Sequence, residues 1–382
     1  MQSATCVDED RQIKAIFTDG LQSKYPYIWL LDNCRCTQCY VHSANQRLVP
    51  FSQLDFRAVP ESVTLTPDGS HLSIKWSKGH IGDYSVDWLR THQFDSSKPD
   101  EVAEPQLHIW GSEMVNTIPT YDFEGILNNE AELYKWLDSL NASGLALIKN
   151  VPQETGQIKR VAKRVSFLKP TNYGVCFSVK SKMNPSNTAY TAAGLSLHTD
   201  LSNYNHAPGV QMLHCIQQYD GEGGDSEFTD GFKAAIQLKK ENPKAFEILT
   251  TTWLNFSDIG IDYYSYHFNR QSPTICLGRK GNIEEIAYSR TSLSSMMYIP
   301  VEQVESVYEA LKAFSDIMYN KENIIKFKME SGDMVAFNNI RVLHGRSAFK
   351  VEQRSSRHLE GGYIDWDEIH SRMRVLKANL QI

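Results

Sequence analysis

Alternation of apolar and polar positions dominates the first hundred residues. Val63 and Leu65 alternate with polar neighbours, Pro67-Asp68-Gly69 follows, and Leu72, Ile74 and Trp76 alternate again. Successive side chains of a strand point to opposite faces, so this pattern around a Pro-Asp-Gly turn predicts a β-hairpin. After Trp88-Leu89 the stretch SSKPDEVAEP at 96–105 is polar, proline-flanked and without period, which reads as a linker. The expected division is a small β-rich domain over 1–105 and a larger domain over 106–382.

The larger segment opens with Phe123, Ile126, Leu127, Leu133, Trp136, Leu137 and Leu140 at helical spacing, stopped by Asn-Ala-Ser-Gly at 141–144. A buried strand, Leu-Ala-Leu-Ile at 145–148, follows. From about 165 to 365 the chain is mostly short apolar or alternating stretches. One helical region interrupts them at 301–319, carrying Val304, Val307, Leu311, Phe314 and Met318, and a last amphipathic helix is expected at 366–380. This mixture predicts a mainly β fold with flanking helices, a β-sandwich or jelly roll.

Composition narrows the partner. With 382 residues, 41% hydrophobic and 22% charged, the chain is an ordinary globular protein, and no run of about 18 apolar residues offers a membrane span. A net charge of −6 gives no basic stripe to neutralise a phosphate backbone, so nucleic acid is not an expected partner and a small ligand is. MQSATCVDEDRQIK has neither a basic n-region nor an apolar h-region, and the expected location is the cytoplasm. Seven cysteines, three of them within six positions, point to metal rather than to a disulfide framework.

Two such metal sets can be read. In LSLHTDLS, His198 and Asp200 stand two apart, which on extended chain would aim both at one face. His344 follows an apolar strand in FNNIRVLHGR, and Arg357 lies thirteen positions beyond in RHLEGGY. Two imidazoles and a carboxylate on one face of Fe(II) leave three positions, two for a 2-oxoacid and one for O2. The far carboxylate of 2-oxoglutarate calls for a planar, bidentate cation, and Arg357 is the candidate. Each part alone is commonplace, since a lone His-X-Asp arises often by chance and a lone arginine is usually a surface ion pair. The ordered set is specific. Cys34, Cys36 and Cys39 in DNCRCTQCY supply three thiolates, and His80 in WSKGHIGDY is the best fourth ligand for a closed tetrahedral zinc site of structural type.

Over nearly its whole length the sequence resembles the γ-butyrobetaine hydroxylase and trimethyllysine hydroxylase family. The stretches that carry the resemblance are IWLLDNCRCTQCY, AYTAAGLSLHTDL, PGVQMLHC, GGDSEFTDGF, RVLHGR and RHLEGGYIDWDE. It implies a zinc domain followed by a double-stranded β-helix oxygenase domain, commonly as a homodimer. It also implies Fe(II) on His198, Asp200 and His344, 2-oxoglutarate on Arg357, O2 as cosubstrate, ascorbate as reductant, and zinc on Cys34, Cys36, Cys39 and His80.

The resemblance further implies a substrate with a trimethylammonium group, which has no N–H and is held by aromatic faces. The matching cage positions are Tyr173, Phe177, Tyr190 and Tyr363, with Phe177 where some relatives have Trp. At the anion end Asn187 is kept, Ser289 and Arg290 stand where relatives tend to show Asn, and Leu201 stands where some show Tyr. Asn203 could add a donor. An arginine in place of an amide fits a more highly charged anion. The expectation is hydroxylation of 2-(trimethylammonio)ethylphosphonate at C1, with γ-butyrobetaine hydroxylation to L-carnitine as the alternative.

Overall fold

The alternation around Pro67-Asp68-Gly69 forms the expected hairpin, with strands Pro60–Leu65 and His71–Trp76 joined through Gly69 at φ +69°. A computed structural model describes residues 1–94, 100–180, 193–349 and 357–382. The chain divides into two units, Met1–Pro99 and Asp100–Ile382. The point of division lies within the stretch read as a linker. Val102 from that stretch is buried in the core of the second unit, and Arg374 Nε donates to Asp100 at 3.0 Å.

In the first unit, strands Ser3–Val7, Gln12–Ile16 and Gln22–Pro26 form one antiparallel sheet. Ile81–Ser85 completes a second with the hairpin. Their alternate residues Ile13, Tyr25, Leu72, Ile74, Trp76 and Tyr84 are withdrawn from solvent into one cluster. Tyr84 and Tyr25 are buried with their hydroxyls donating to the Leu30 and Leu89 carbonyls at 2.6 and 2.7 Å. Burying an unpaired hydroxyl would oppose folding, so these bonds make the aromatic core affordable.

The second unit has a six-stranded and a four-stranded sheet. The larger runs in the order Phe177–Lys180, His358–Ile364, Val210–Gln217, Met334–Asn338, Leu145–Lys149, Thr120–Asp122. The smaller runs Leu195–His198, Val342–Arg346, Ser226–Asp230, Ile324–Phe327. Period two sorts the larger sheet's side chains. Leu145, Leu147, Val335 and Phe337 join Phe228, Ile325 and Val342 of the smaller sheet, whereas Ala146, Ile148, Met334 and Ala336 meet the helices on the other side. This is a double-stranded β-helix with helices outside, as expected.

The helix read across 123–140 is two, Phe123–Asn128 and Glu130–Ser143. Asn129 takes an extended conformation and its Oδ1 accepts from the Ala131 and Glu132 amides at 2.8 and 3.3 Å. A good N-cap thus starts a new helix inside an unbroken apolar period. The stop at Gly144 is left-handed, φ +73°. The helices Val301–Met318 and Trp366–Leu380 match expectation. Gly231–Glu241 and Pro243–Thr251, in a region read as strands, do not. Asp230 caps the first at the Phe232 amide, and Asn242 with Pro243 begins the second.

Asp230 also holds the strand that carries His344. The fully buried Arg341 donates from Nε and Nη2 to the two Asp230 oxygens at 3.0 and 2.8 Å, and to the carbonyls of Ala142 and His108 at 2.8 and 2.6 Å. Such a pair persists in a dry interior because Asp230 also accepts from the Phe232 and Trp110 amides and Arg341 donates four hydrogen bonds. No helix among the described residues is long and apolar enough to cross a membrane.

Candidate active site

His198 and His344 face each other across the antiparallel pair Leu195–His198 and Val342–Arg346, with ring centroids 4.2 Å apart. Asp200 lies beyond the end of its strand, in a turn, so a turn rather than extended chain brings it to the same side as His198. That turn is anchored from several directions. Asn339 Oδ1 accepts from the Asp200 amide at 2.7 Å and its Nδ2 donates to the Asp200 carbonyl at 3.0 Å, while Thr199 bonds the Tyr288 and Ile286 carbonyls. Leu201 pays for the turn with φ +56°, a left-handed conformation that typically opposes folding by roughly 1–2 kcal/mol. One Asp200 oxygen then lies 3.1 Å from His198 Nε2 and 3.8 Å from His344 Nε2. Tyr363 donates its hydroxyl to the other oxygen at 2.7 Å.

The electrostatics suit a cation. Burial works against the Asp200 carboxylate, but His344, His198 and Tyr363 outweigh it and hold the group ionised. Burial, then the neighbouring His198, presses His344 down to about 3. Burial opposes the charged form of His198 too, yet Asp200 raises it. His198 Nδ1 sits 2.8 Å from the Ser196 carbonyl, which leaves Nε2 as the ligating atom.

Arg357 is 7% exposed and lines the same cavity as the triad, together with Arg346. Its buried Nε has no hydrogen-bond partner among the described residues. Burial first, and then the Arg346 charge, push it down to about 10. Two guanidiniums lining one cavity suit an anionic ligand, and a dicarboxylate such as 2-oxoglutarate is one. Arg346 was missed in the sequence, although it stands two beyond His344 on one strand and therefore on the same face.

The cavity holds about 280 Å³, room for small molecules only. Tyr173, Phe177 and Tyr363 form one wall, with successive centroids 5.6 and 5.4 Å apart. Gly361 makes that wall possible, because a Cβ there would overlap the Phe177 ring. Leu201, Asn203 and Ser289 also line the cavity, along with Gln211, Asp258, Thr291 and Ser292, which were not anticipated. Asn203 Nδ2 and Ser292 Oγ are buried without partners among the described residues. Arg290 corrects the expectation. It is exposed, begins the turn at 290–292 and lines a neighbouring cavity with Leu293, Tyr308 and Lys312, whereas Ser289 lines both that cavity and the one holding the triad. Asn187 and Tyr190 lie outside the described residues.

In the first unit, the ligating atoms of Cys34, Cys36, Cys39 and His80 lie within 4.8 Å of one another. The three cysteines follow the helix Tyr27–Asp32, and His80 closes the turn before Ile81–Ser85. Burial, then Cys34 and Cys36, push the Cys39 thiol up to about 12, and burial keeps His80 neutral. Crowded thiolates need a cation, and three sulfurs with one imidazole are a donor set that fits zinc.

Residues 102–363 match the family described as "Taurine catabolism dioxygenase TauD, TfdA family", and residues 5–90 match "Gamma-butyrobetaine hydroxylase-like, N-terminal". The chain belongs to the TauD and TfdA dioxygenase family. It is 37% identical over 385 residues to the gamma-butyrobetaine dioxygenase of Homo sapiens, covering all of this chain and 98% of that protein. It is 32% identical to the gamma-butyrobetaine dioxygenase of Pseudomonas sp. strain AK-1, over 96% of this chain and 94% of that one. Identity to the mitochondrial trimethyllysine dioxygenase of Rattus norvegicus is 29%, over 92% and 83%. A solved taurine dioxygenase from Burkholderia xenovorans shares the fold at 14% identity and TM-score 0.50, covering 68% of this chain and 91% of that one. The chain is therefore a dioxygenase of the Fe(II) and 2-oxoglutarate class. Iron would supply the oxidising chemistry, and His198, Asp200 and His344 are the clustered donors that could hold it, with Arg346 and Arg357 lining the same cavity.

Proposed function

We propose that this dioxygenase hydroxylates a small trimethylammonium carboxylate of the γ-butyrobetaine type. The observation that carries the reading is the aromatic wall Tyr173, Phe177 and Tyr363 within the cavity of His198, Asp200 and His344. Ring faces attract a quaternary ammonium that cannot donate a hydrogen bond, at roughly 0.5–2 kcal/mol per contact. The names of the relatives support the same substrate class. Apart from Arg346 and Arg357, which suit the cosubstrate, the donors lining the cavity are neutral and include Asn203, Ser289, Thr291 and Ser292, while the arginine that would favour a phosphonate, Arg290, lines a neighbouring cavity; this lining favours a singly charged carboxylate over a phosphonate. Wall and donors together fix which C–H faces the iron, which is the protein's share of the selectivity.

The test incubates the Fe(II) enzyme with 2-oxoglutarate, ascorbate and either γ-butyrobetaine or 2-(trimethylammonio)ethylphosphonate, following succinate and hydroxylated product. Faster turnover of γ-butyrobetaine is expected. Preference for the phosphonate would overturn the carboxylate assignment, and background succinate with both would overturn the substrate class.

A further inference from the structure

We infer that Asp258 is the counter-ion for the substrate's quaternary ammonium and a determinant of specificity, an inference that rests on the trimethylammonium reading above. Asp258 lines the iron cavity, yet it is neither a ligand of the triad nor part of the aromatic wall. It sits on the strand Leu254–Ile261, which pairs with Ser265–Ser272. The turn of that hairpin packs on the loop bearing Tyr173. The Tyr263 amide donates to the Asn172 carbonyl at 3.0 Å, and a Cβ on Gly174 would meet the Tyr263 ring at 3.5 Å. Tyr204, whose hydroxyl accepts from the Asn172 amide at 2.9 Å, also feels the Asp258 charge. The hairpin thus packs at its turn on the loop bearing Tyr173 and, through the Ser257 amide donating to the Ser292 carbonyl at 2.7 Å, on the loop bearing Ser289, with Asp258 between these two contacts in sequence and lining the cavity.

No lysine, arginine or histidine among the described residues bonds to it. Burial and then the like charge of Asp262 raise its carboxyl above the ordinary value, as expected of an acid short of a counter-charge. Aromatic faces attract any cation weakly, but a carboxylate distinguishes a quaternary nitrogen from the quaternary carbon of the same shape. It also repels a dianion more than a monoanion, so it would add to the preference for a carboxylate substrate over a phosphonate.

The experiment compares wild type, Asp258→Asn and Asp258→Glu, each with Fe(II) and 2-oxoglutarate. The ligands are γ-butyrobetaine and its carbon isostere, 5,5-dimethylhexanoate, with binding read by anaerobic calorimetry and turnover by succinate release. Asp258→Asn is expected to weaken γ-butyrobetaine about tenfold, equivalent to 1.4 kcal/mol. Isostere binding should be little changed, the KM for γ-butyrobetaine should rise about tenfold with the Kd, and Asp258→Glu should restore part of the loss. Equal affinity of wild type and Asp258→Asn for γ-butyrobetaine would overturn the inference and leave the substrate reading standing. Equal losses for both ligands would show a structural role and also overturn it. Failure of wild type to bind γ-butyrobetaine would overturn the substrate reading, and this inference with it.

Discussion

Replacing Arg357 by Met should make the ligand-free protein more stable and deaf to 2-oxoglutarate. Arg357 is charged in the unfolded chain and in the fold at neutral pH, so its lowered pKa is a standing penalty, relieved only above about 10. The gap between the ordinary 12.5 and about 10 corresponds to roughly 3 kcal/mol at 1.36 kcal/mol per pH unit. Relaxation and water entry reduce this, so about 1–3 kcal/mol of it should be recovered by a neutral side chain of similar length. At about 2–4 °C per kcal/mol for a domain of this size class, Tm should rise by roughly 2–12 °C. The assay is thermal unfolding under argon with Fe(II), with and without 2-oxoglutarate. A cosubstrate at a hundred times its Kd stabilises wild type by about 2.7 kcal/mol, whereas the variant should show no such gain. A ligand-free variant less stable than wild type, or an equal 2-oxoglutarate shift in both, would refute the reasoning.

Three further outcomes follow from other parts of the fold. Tyr363→Phe keeps the ring but removes the 2.7 Å bond to Asp200, and Fe(II) affinity by titration should fall about 10–100-fold; unchanged affinity contradicts the role given to the hydroxyl. Cys39→Ser should abolish zinc binding, measured by elemental analysis, and lower the melting temperature of the first unit; full zinc content in the variant contradicts the four-ligand site. Arg341→Leu strands Asp230 in a dry interior and should destabilise by about 3–5 kcal/mol in urea unfolding, so a loss under 1 kcal/mol would contradict the buried pair.

Much of this architecture is legible in the chain because period two survives tertiary packing. The hairpin at 60–76 follows from it directly, the strand of Leu145 and Leu147 is legible instead as a continuous apolar run after Gly144, and His344, expected just after an apolar strand, lies within Val342–Arg346. The same rule would have disclosed Arg346, two residues past His344. What escaped reading depends on local geometry or distant contacts. Asn129 breaks a continuous apolar period with one side-chain cap, and Asp230 and Asn242 start helices where short apolar runs resemble strands. Asp258 comes to the cavity through a hairpin some 60 residues from the triad's first ligand, with no motif to mark it. Ser289 and Arg290 show a further limit. A loop's sequence names both neighbours, but only its backbone decides which one faces the iron side.

The central claim, iron on His198, Asp200 and His344 with 2-oxoglutarate beside Arg357, is tested most directly by anaerobic visible spectroscopy. Adding 2-oxoglutarate to the Fe(II) protein should produce the charge-transfer absorption of a chelated 2-oxoacid. The band should shift on adding γ-butyrobetaine and be absent in His344→Ala. No band in the wild type, or one of equal strength in His344→Ala, would contradict the account.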